Sequence, residues 1–145
     1  MSLFHVMSVS ASGLAAQRAR AQSIVQNLAN SETTRTPEGG PYRRKDVVFA
    51  PEAQISPFSS VFQAELGAPQ TGVGVAGVVE DIRDPLLRYQ PGHPDADAQG
   101  YVAYPNINPA EEMVDLMSAS RGYQANVAAL SAVKDMVAKS IDLLR

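Results

Sequence analysis

The side chains best suited to chemistry sit in one turn, Pro91-Gly92-His93-Pro94-Asp95-Ala96-Asp97. An imidazole and two carboxylates could ligate a hard cation. No second ligand cluster elsewhere would complete the coordination shell, and Asp and His side chains in such turns commonly bond to nearby backbone groups. The turn is therefore read as structural. His5 and His93 are the only histidines, and no serine stands in a Gly-x-Ser-x-Gly context. Glu111-Glu112 is a carboxylate pair at a helix start, where acids face the positive end of the helix dipole. The glycines of Gly72 to Asp81 (GVGVAGVVED) could suggest a phosphate loop, but no Lys-Ser/Thr follows and no helix opens there. Arg43-Arg44-Lys45, flanked by Tyr42 and Phe49, could meet nucleic acid. Followed by Asp46, it reads better as a solvated strand edge or a docking patch. The residues point away from an enzyme, a metal or cofactor site and a nucleic-acid binder.

Composition narrows the classes further. A chain of 145 residues with net charge −3 suits one domain, or a long helical hairpin carrying an insertion. The absence of cysteine excludes disulfides and thiolate chemistry. No run of eighteen apolar residues predicts a membrane span. Polar residues interrupt Phe4 to Ala16 and no basic region precedes it, so no secretory signal is expected. Arg18, Arg20, the serines and the missing acids of residues 1–30 are like a transit peptide, but their periodicity is more regular than targeting requires.

Two long elements must position everything else. Asn108 is a good N-cap, Pro109 suits the first helical position and Glu111 stands three after the cap, so a helix is expected over 109–145. Met113, Leu116, Ser120, Tyr123, Val127, Leu130, Lys134, Val137, Ile141 and Leu144 follow at steps of three and four, a heptad seam broken only by Ser120 and Lys134. Such a helix is about 55 Å long, too long for a small domain to wrap. A second helix is expected over 2–30, with Phe4, Met7, Ala11, Leu14, Arg18, Ala21, Val25 and Leu28 in a matching seam. The expected fold is mainly α, the terminal helices pairing as a coiled-coil hairpin around a small β-rich or irregular middle, 31–108. Strands are expected at 47–49, 72–81, 86–89 and 100–104, with a loop over 51–70.

The faces away from the seams are unusual. An exposed coiled-coil helix normally carries Glu and Lys. Here Ser118 to Val133 holds one charge, Arg121, and Gly122 sits mid-helix despite a cost of about 1 kcal/mol. Small neutral residues around the whole circumference imply helices surrounded by other helices, supplied by copies or relatives of the chain.

Several stretches also resemble a known family. Asn27-Leu28-Ala29-Asn30-Ser31-Glu32-Thr33-Thr34 is similar to the Asn-Leu-Ala-Asn-x-x-Thr stretch of flagellar rod and hook proteins. Thr34 to Lys45 (TRTPEGGPYRRK), Pro91 to Ala98 (PGHPDADA) with Gly100-Tyr101-Val102, Glu111 to Asp115 with Ser118 to Arg121, and Tyr123 to Val127 resemble the proximal-rod branch of that family. Asp97 and Gln99 depart from its pattern of Asn and Glu, which weakens a metal reading of that turn further. The resemblance covers the chain apart from about 51–72. It implies a structural subunit of the hollow flagellar drive shaft, without cofactors. Its expected partners are other rod proteins, copies of itself, the motor ring at the rod base and the flagellar type III export apparatus. Export without a cleaved signal, assembly in the periplasm and terminal helices that are largely disordered until assembled are also implied. The candidate assembly residues are Asn27, Leu28, Ala29, Asn30 and Thr33 of the motif, and Arg43 and Arg44 of the basic run. Met113, Leu116, Arg121, Tyr123, Asn126, Val127 and Leu130 of the closing helix complete them. The alternatives are another rod or hook subunit, or a helical binding module.

Overall fold

The computed structural model describes residues 3–53 and 71–143. Helix α1 spans Leu3–Ala29 and helix α2 Pro109–Asp142. Between them lie β1 (Lys45–Ala53), β2 (Thr71–Glu80), β3 (Leu86–Tyr89) and β4 (Tyr101–Tyr104), paired as two antiparallel two-stranded sheets, β1-β2 and β3-β4. The mainly α architecture with a small β middle is the expected one. Of the loop expected over 51–70, residues 51–53 belong instead to β1, and the rest lies outside the described residues.

Local chemistry sets the helix ends. The Asn108 side-chain oxygen accepts from the Ala110 N–H at 3.1 Å, and the Asn108 amide donates to Glu111 Oε1 at 3.0 Å, so cap and first turn hold each other. At the end of α1, the Asn30 amide turns back to donate to the Gln26 carbonyl at 2.9 Å, and the Thr33 hydroxyl donates to Asn30 Oδ1 at 3.2 Å. The chain then makes a tight turn closed by the Thr36 N–H on the Gly40 carbonyl at 2.9 Å. Gly39 and Gly40 have φ of 92° and 78°, which residues with a Cβ adopt only under strain.

β1 begins before Val47 and ends after Phe49. Lys45, Pro51 and Glu52 are poor strand formers in isolation, but pairing from Lys45↔Glu80 to Ala53↔Thr71 draws them into the ladder. A shift between Val48 and Phe49 leaves Ala76 as an extra residue on β2, a bulge that increases the local twist.

The helices lie antiparallel. Gly13 faces Asn126, Gly122 faces Gln17, Arg20 pairs with Asp115 and Asn27 meets Glu112. Their contact face differs from the expected seams. In α2 the buried residues are Glu112, Ala119 and Val133, each one position before the expected Met113, Ser120 and Lys134. Leu116, Leu130 and Val137 stay half-buried beside them, so the contact keeps one row of the expected seam and exchanges the other, a turn of about 50°. In α1 they include Ser10, Ala16, Ser23, Ile24 and Asn27, whereas the expected Ala11, Arg18 and Val25 are exposed. Met7, Leu14, Ala21 and Leu28 of the expected α1 seam remain half-buried. The reason is steric. A Cβ on Gly13 would stand 3.0 Å from the Asn126 amide nitrogen, and one on Gly122 3.1 Å from the Gln17 side chain. Small residues bring the helices close, and dispersion contacts multiply at short range. A Met, Tyr and Val stripe would hold them apart.

Candidate functional site

The two helices and the middle segment converge on Asn27. Its side chain is 0% exposed, and it lies on the last full turn of α1. The amide nitrogen donates to the Lys45 carbonyl at 2.9 Å and to Glu112 Oε2 at 3.3 Å. The carbonyl oxygen accepts from the Lys45 N–H at 2.9 Å and the Tyr42 hydroxyl at 3.1 Å. Both donors and both acceptor positions of the amide are used, which is what a fully buried Asn requires. One turn earlier, the Ser23 hydroxyl donates to the same Lys45 carbonyl at 2.8 Å. The start of β1 is therefore fastened to α1 by two side chains, on the face that α1 turns inward.

Glu112 brings α2 to this point. Its residue is 2% exposed, and Arg44 Nε donates to its Oε1. Arg44 also reaches Asp46 at 3.2 Å and Asp115 at 3.8 Å, and Asp115 in turn meets Arg20 at 3.6 Å. Burial alone would lower the Arg44 pKa, but the hydrogen bonds and charges of Glu112 and Asp46 outweigh it and hold the guanidinium above its ordinary value. Burial pushes the Tyr42 hydroxyl up; the Lys45 charge pulls the other way, and Glu80 and Glu112 add to the rise. The basic run is thus divided. Arg44 is half-buried and belongs to the junction, while Arg43 is exposed and donates to the Asp81 carbonyl at 3.2 Å. A pocket of 140 Å³ beside the junction is lined in part by Arg43, Arg44 and Arg83, all three already engaged with protein oxygens.

The family-like motif at 27–33 divides its work in the same way. Asn27 builds the junction, Asn30 and Thr33 close the helix end, Leu28 is half-buried and Ala29 is exposed. The His93 turn is structural, as expected. His93 Nδ1 accepts from the Asp95 N–H at 3.1 Å, and Asp97 Oδ1 accepts from the Gln99 and Tyr101 N–H groups, each at 2.8 Å. Asp95 also ties the loop to the segment after α1, through Thr34 at 2.8 Å and Arg35 at 3.2 Å. Among the described residues no group of three or more His, Asp or Glu side chains is placed to hold a metal ion.

Glu112, Asp115, Tyr42 and Ser23 escaped the sequence reading as site residues. Glu112 stands in the first turn of α2, but it is buried against Arg44 rather than free to face the dipole. A second contact without a sequence signal lies further along α1. The Ser12 hydroxyl accepts from the Val73 N–H at 3.0 Å, and a Cβ on Gly72 would stand 2.7 Å from that oxygen. Only glycine allows β2 to come so close.

The closing-helix candidates divide by face. Asn126 lies against Gly13. Met113, Tyr123 and Val127 are 52%, 43% and 42% exposed, and Arg121 is exposed beside them. Met117, Met136 and Ile141 are also exposed, at other points around the helix. Among the described residues nothing covers the stripe of Met113, Tyr123 and Val127, and such patches on a folded chain mark association surfaces.

Comparison with known proteins gives a consistent answer. A family model described as the flagellar basal body rod FlgEFG protein C-terminal matches residues 98–143. The flagellar basal-body rod protein FlgC of Bacillus subtilis strain 168 is 43% identical over 150 residues, covering 99% of each chain. That of Borreliella burgdorferi is 41% identical over 152 residues, covering 100% of this chain and 99% of the relative. That of Salmonella typhimurium LT2 is 43% identical over 143 residues, covering 99% and 98%.

Proposed function

The chain belongs to the FlgC family of flagellar basal-body rod proteins, and from that premise we propose how its surfaces serve the rod. It is a structural subunit of the proximal rod, in the flagellar basal body, and it assembles with other rod proteins and with its own copies. The finer reading divides the chain into 1–30 and 109–145, a coiled-coil hairpin of an inner layer, and 31–108, a middle segment packed outside it. The outward stripe of Met113, Tyr123 and Val127 forms seams with neighbouring subunits, with Arg121 at its border. The motif residues Asn27, Leu28, Ala29, Asn30 and Thr33, with Arg43 and Arg44, hold the middle segment at a fixed angle to the helices.

The observation that carries this reading is the row of large apolar side chains that α2 leaves uncovered: its contact with α1 takes in Glu112, Ala119, Gly122, Asn126 and Val133, with Leu116 and Leu130 half-buried, while Met113, Tyr123 and Val127 stay exposed. A helix that only completed a monomer would bury those side chains first, since each contributes about 1.5–3 kcal/mol on full burial. Packed against neighbours along its length, the helix pair resists torsion, as a shaft passing torque from the motor ring to the hook requires. Passage of the chain through the type III export apparatus, and arrival in the periplasm without a cleaved signal, belong to the same proposal.

The test is complementation of a strain lacking its own FlgC. The wild-type chain should restore swimming and be recovered in purified basal bodies. Val127→Asp should be made at normal levels, remain absent from basal bodies and leave cells non-motile. A swimming Val127→Asp strain would remove the outward stripe from the assembly interface. A helical binding module, the rival reading, would instead be recovered with one soluble partner.

A further inference from the structure

Each of the two sheets has one outer edge closed and the other open. In an antiparallel ladder, alternate residue pairs turn their N–H and C=O groups outward. On β1 those groups are spent. The Lys45 N–H and C=O bond to Asn27 and Ser23, the Val47 N–H donates to Asp46 Oδ1 at 2.9 Å, and Pro51 has no N–H. Across the ladder their partners are Glu80, Val78 and Val73. On β2 the Ser12 hydroxyl satisfies Val73. Among the described residues nothing is bonded to the outward N–H groups of Val75, Val78 and Glu80. The second sheet repeats the asymmetry. Asp97 bonds both the N–H and the carbonyl of Tyr101, each at 2.8 Å, which closes that end of β4. The Gln90 N–H donates to the Gly100 carbonyl, so Leu87 and Tyr89 turn their N–H groups outward on β3, where no described residue meets them.

The two open edges match in chemistry. Val75, Val78 and Val79 are exposed on β2, and Leu86, Leu87 and Tyr89 on β3. The one charge of β2 is Glu80 and the one charge of β3 is Arg88. A two-stranded sheet is marginal alone, and among the described residues neither helix packs on β3-β4. Within the chain the two open strands stay in separate sheets, joined by residues 81–85. We propose that the outer edge of β2, Val75 to Glu80, receives β3 of a second copy of the chain, giving a four-stranded sheet that spans two subunits. Main-chain hydrogen bonds hold the strands, and the Val, Leu and Tyr side chains shield them from water. The contact is heterologous. Each copy offers one β2 edge and one β3 edge, so every pairing leaves a free edge at either end and the series continues in one direction, as a shaft of like subunits needs. The pairing rests on the rod reading above and adds a partner strand to it.

The full chain has no cysteine, so single thiols can be introduced cleanly. Val78→Cys and Leu87→Cys are made as separate chains, expressed alone and together in a strain lacking its own FlgC, and purified basal bodies are treated with a short bismaleimide crosslinker. Cells making both chains should yield a covalent product of twice the chain mass that contains both peptides; cells making either chain alone should not. Basal bodies that hold both chains without this product overturn the pairing, and so does a product from Val78→Cys alone, which would mean that β2 edges meet each other. A second arm addresses the backbone. Val78→Pro removes one outward N–H and leaves the ladder to β1 intact, whereas Val78→Ala keeps that N–H. Recovery of Val78→Pro in basal bodies should fall on the order of tenfold, with Val78→Ala unchanged. Equal recovery of the two overturns the pairing. Absence of the otherwise unaltered chain from basal bodies would defeat the rod reading, and the pairing with it; its presence without the crosslinked product defeats the pairing alone.

Discussion

The two faces of α2 are built from different materials. Toward α1 it presents Glu112, Ala119, Gly122, Asn126 and Val133, with Leu116 and Leu130 half-buried; exposed to solvent it leaves Met113, Met117, Tyr123 and Val127. In an ordinary amphipathic helix the large apolar side chains are gathered on the inner face, whereas here they are divided between the two. The difference shows that two tasks have been separated on one helix. Contacts within the chain are specified by close approach and by hydrogen bonds that accept one geometry only. Contacts between chains are left to apolar side chains, whose strength comes from area and many small contacts.

The inner face should break first and hardest. Asn27→Ala strands the Tyr42 hydroxyl, the Lys45 N–H and one oxygen of Glu112, while the Lys45 carbonyl keeps the Ser23 hydroxyl. Each stranded group costs about 1–3 kcal/mol. Denaturant unfolding of the isolated chain should lose at least about 3 kcal/mol; a loss below about 1 kcal/mol would show that water reaches the junction.

Next comes Gly72→Val. The new side chain occupies the space of the Ser12 hydroxyl, so the Val73 N–H loses its partner and β2 lifts from α1. Overpacking of this kind costs about 1–3 kcal/mol. Hydrogen exchange should speed up at Val73 and neighbouring β2 amides, with the Asn27 junction unaffected. Uniform acceleration across the chain would mean that hairpin and helices do not open separately.

Tyr42→Phe is gentler and carries a pH signature. It removes one hydrogen bond to Asn27, a loss of about 1 kcal/mol. Burial raises the Tyr42 pKa above its ordinary 10.0 in the folded chain. A raised folded value means that its stabilisation is fully present below the unfolded pKa and is lost as pH rises through the folded one. The parent chain should therefore lose stability above pH 10 more steeply than Tyr42→Phe, in parallel urea titrations. Parallel curves would mean that the phenol is not desolvated.

The sequence made the element ends legible because they are local. Asn108, Pro109 and Glu111 announce α2, and the His93 turn explains itself within a few residues. Which face of each helix is inward was legible only in part. Periodicity finds an apolar stripe but is silent about what covers it, and here the stripe and the internal contact share the row Leu116, Leu130 and Val137 and differ in the other. The junction was hidden for another reason. Asn27 and Glu112 are 85 residues apart, and a Glu in a first helical turn already has a sufficient local explanation in the helix dipole. Arg44 looked solvated because its run of three charges is averaged together, whereas the fold uses its members individually.

The smallest effect on the isolated chain is expected where the effect on assembly is greatest. Val127 is exposed on α2, and its replacement by Asp puts a carboxylate into water rather than into a core. Surface substitutions of this kind change stability by about 0.5 kcal/mol or less. The same carboxylate, placed in a seam between subunits, would be stripped of water opposite apolar side chains, at several kcal/mol for each contact. Urea unfolding of purified Val127→Asp should therefore overlay the parent curve, although the variant is excluded from the rod. If it unfolded much more easily, the outward face would be helping to hold the monomer, and the division of labour between the two faces of α2 would fail. Equal stability with lost assembly would leave one explanation: the apolar side of α2 is kept out of the fold for its neighbours.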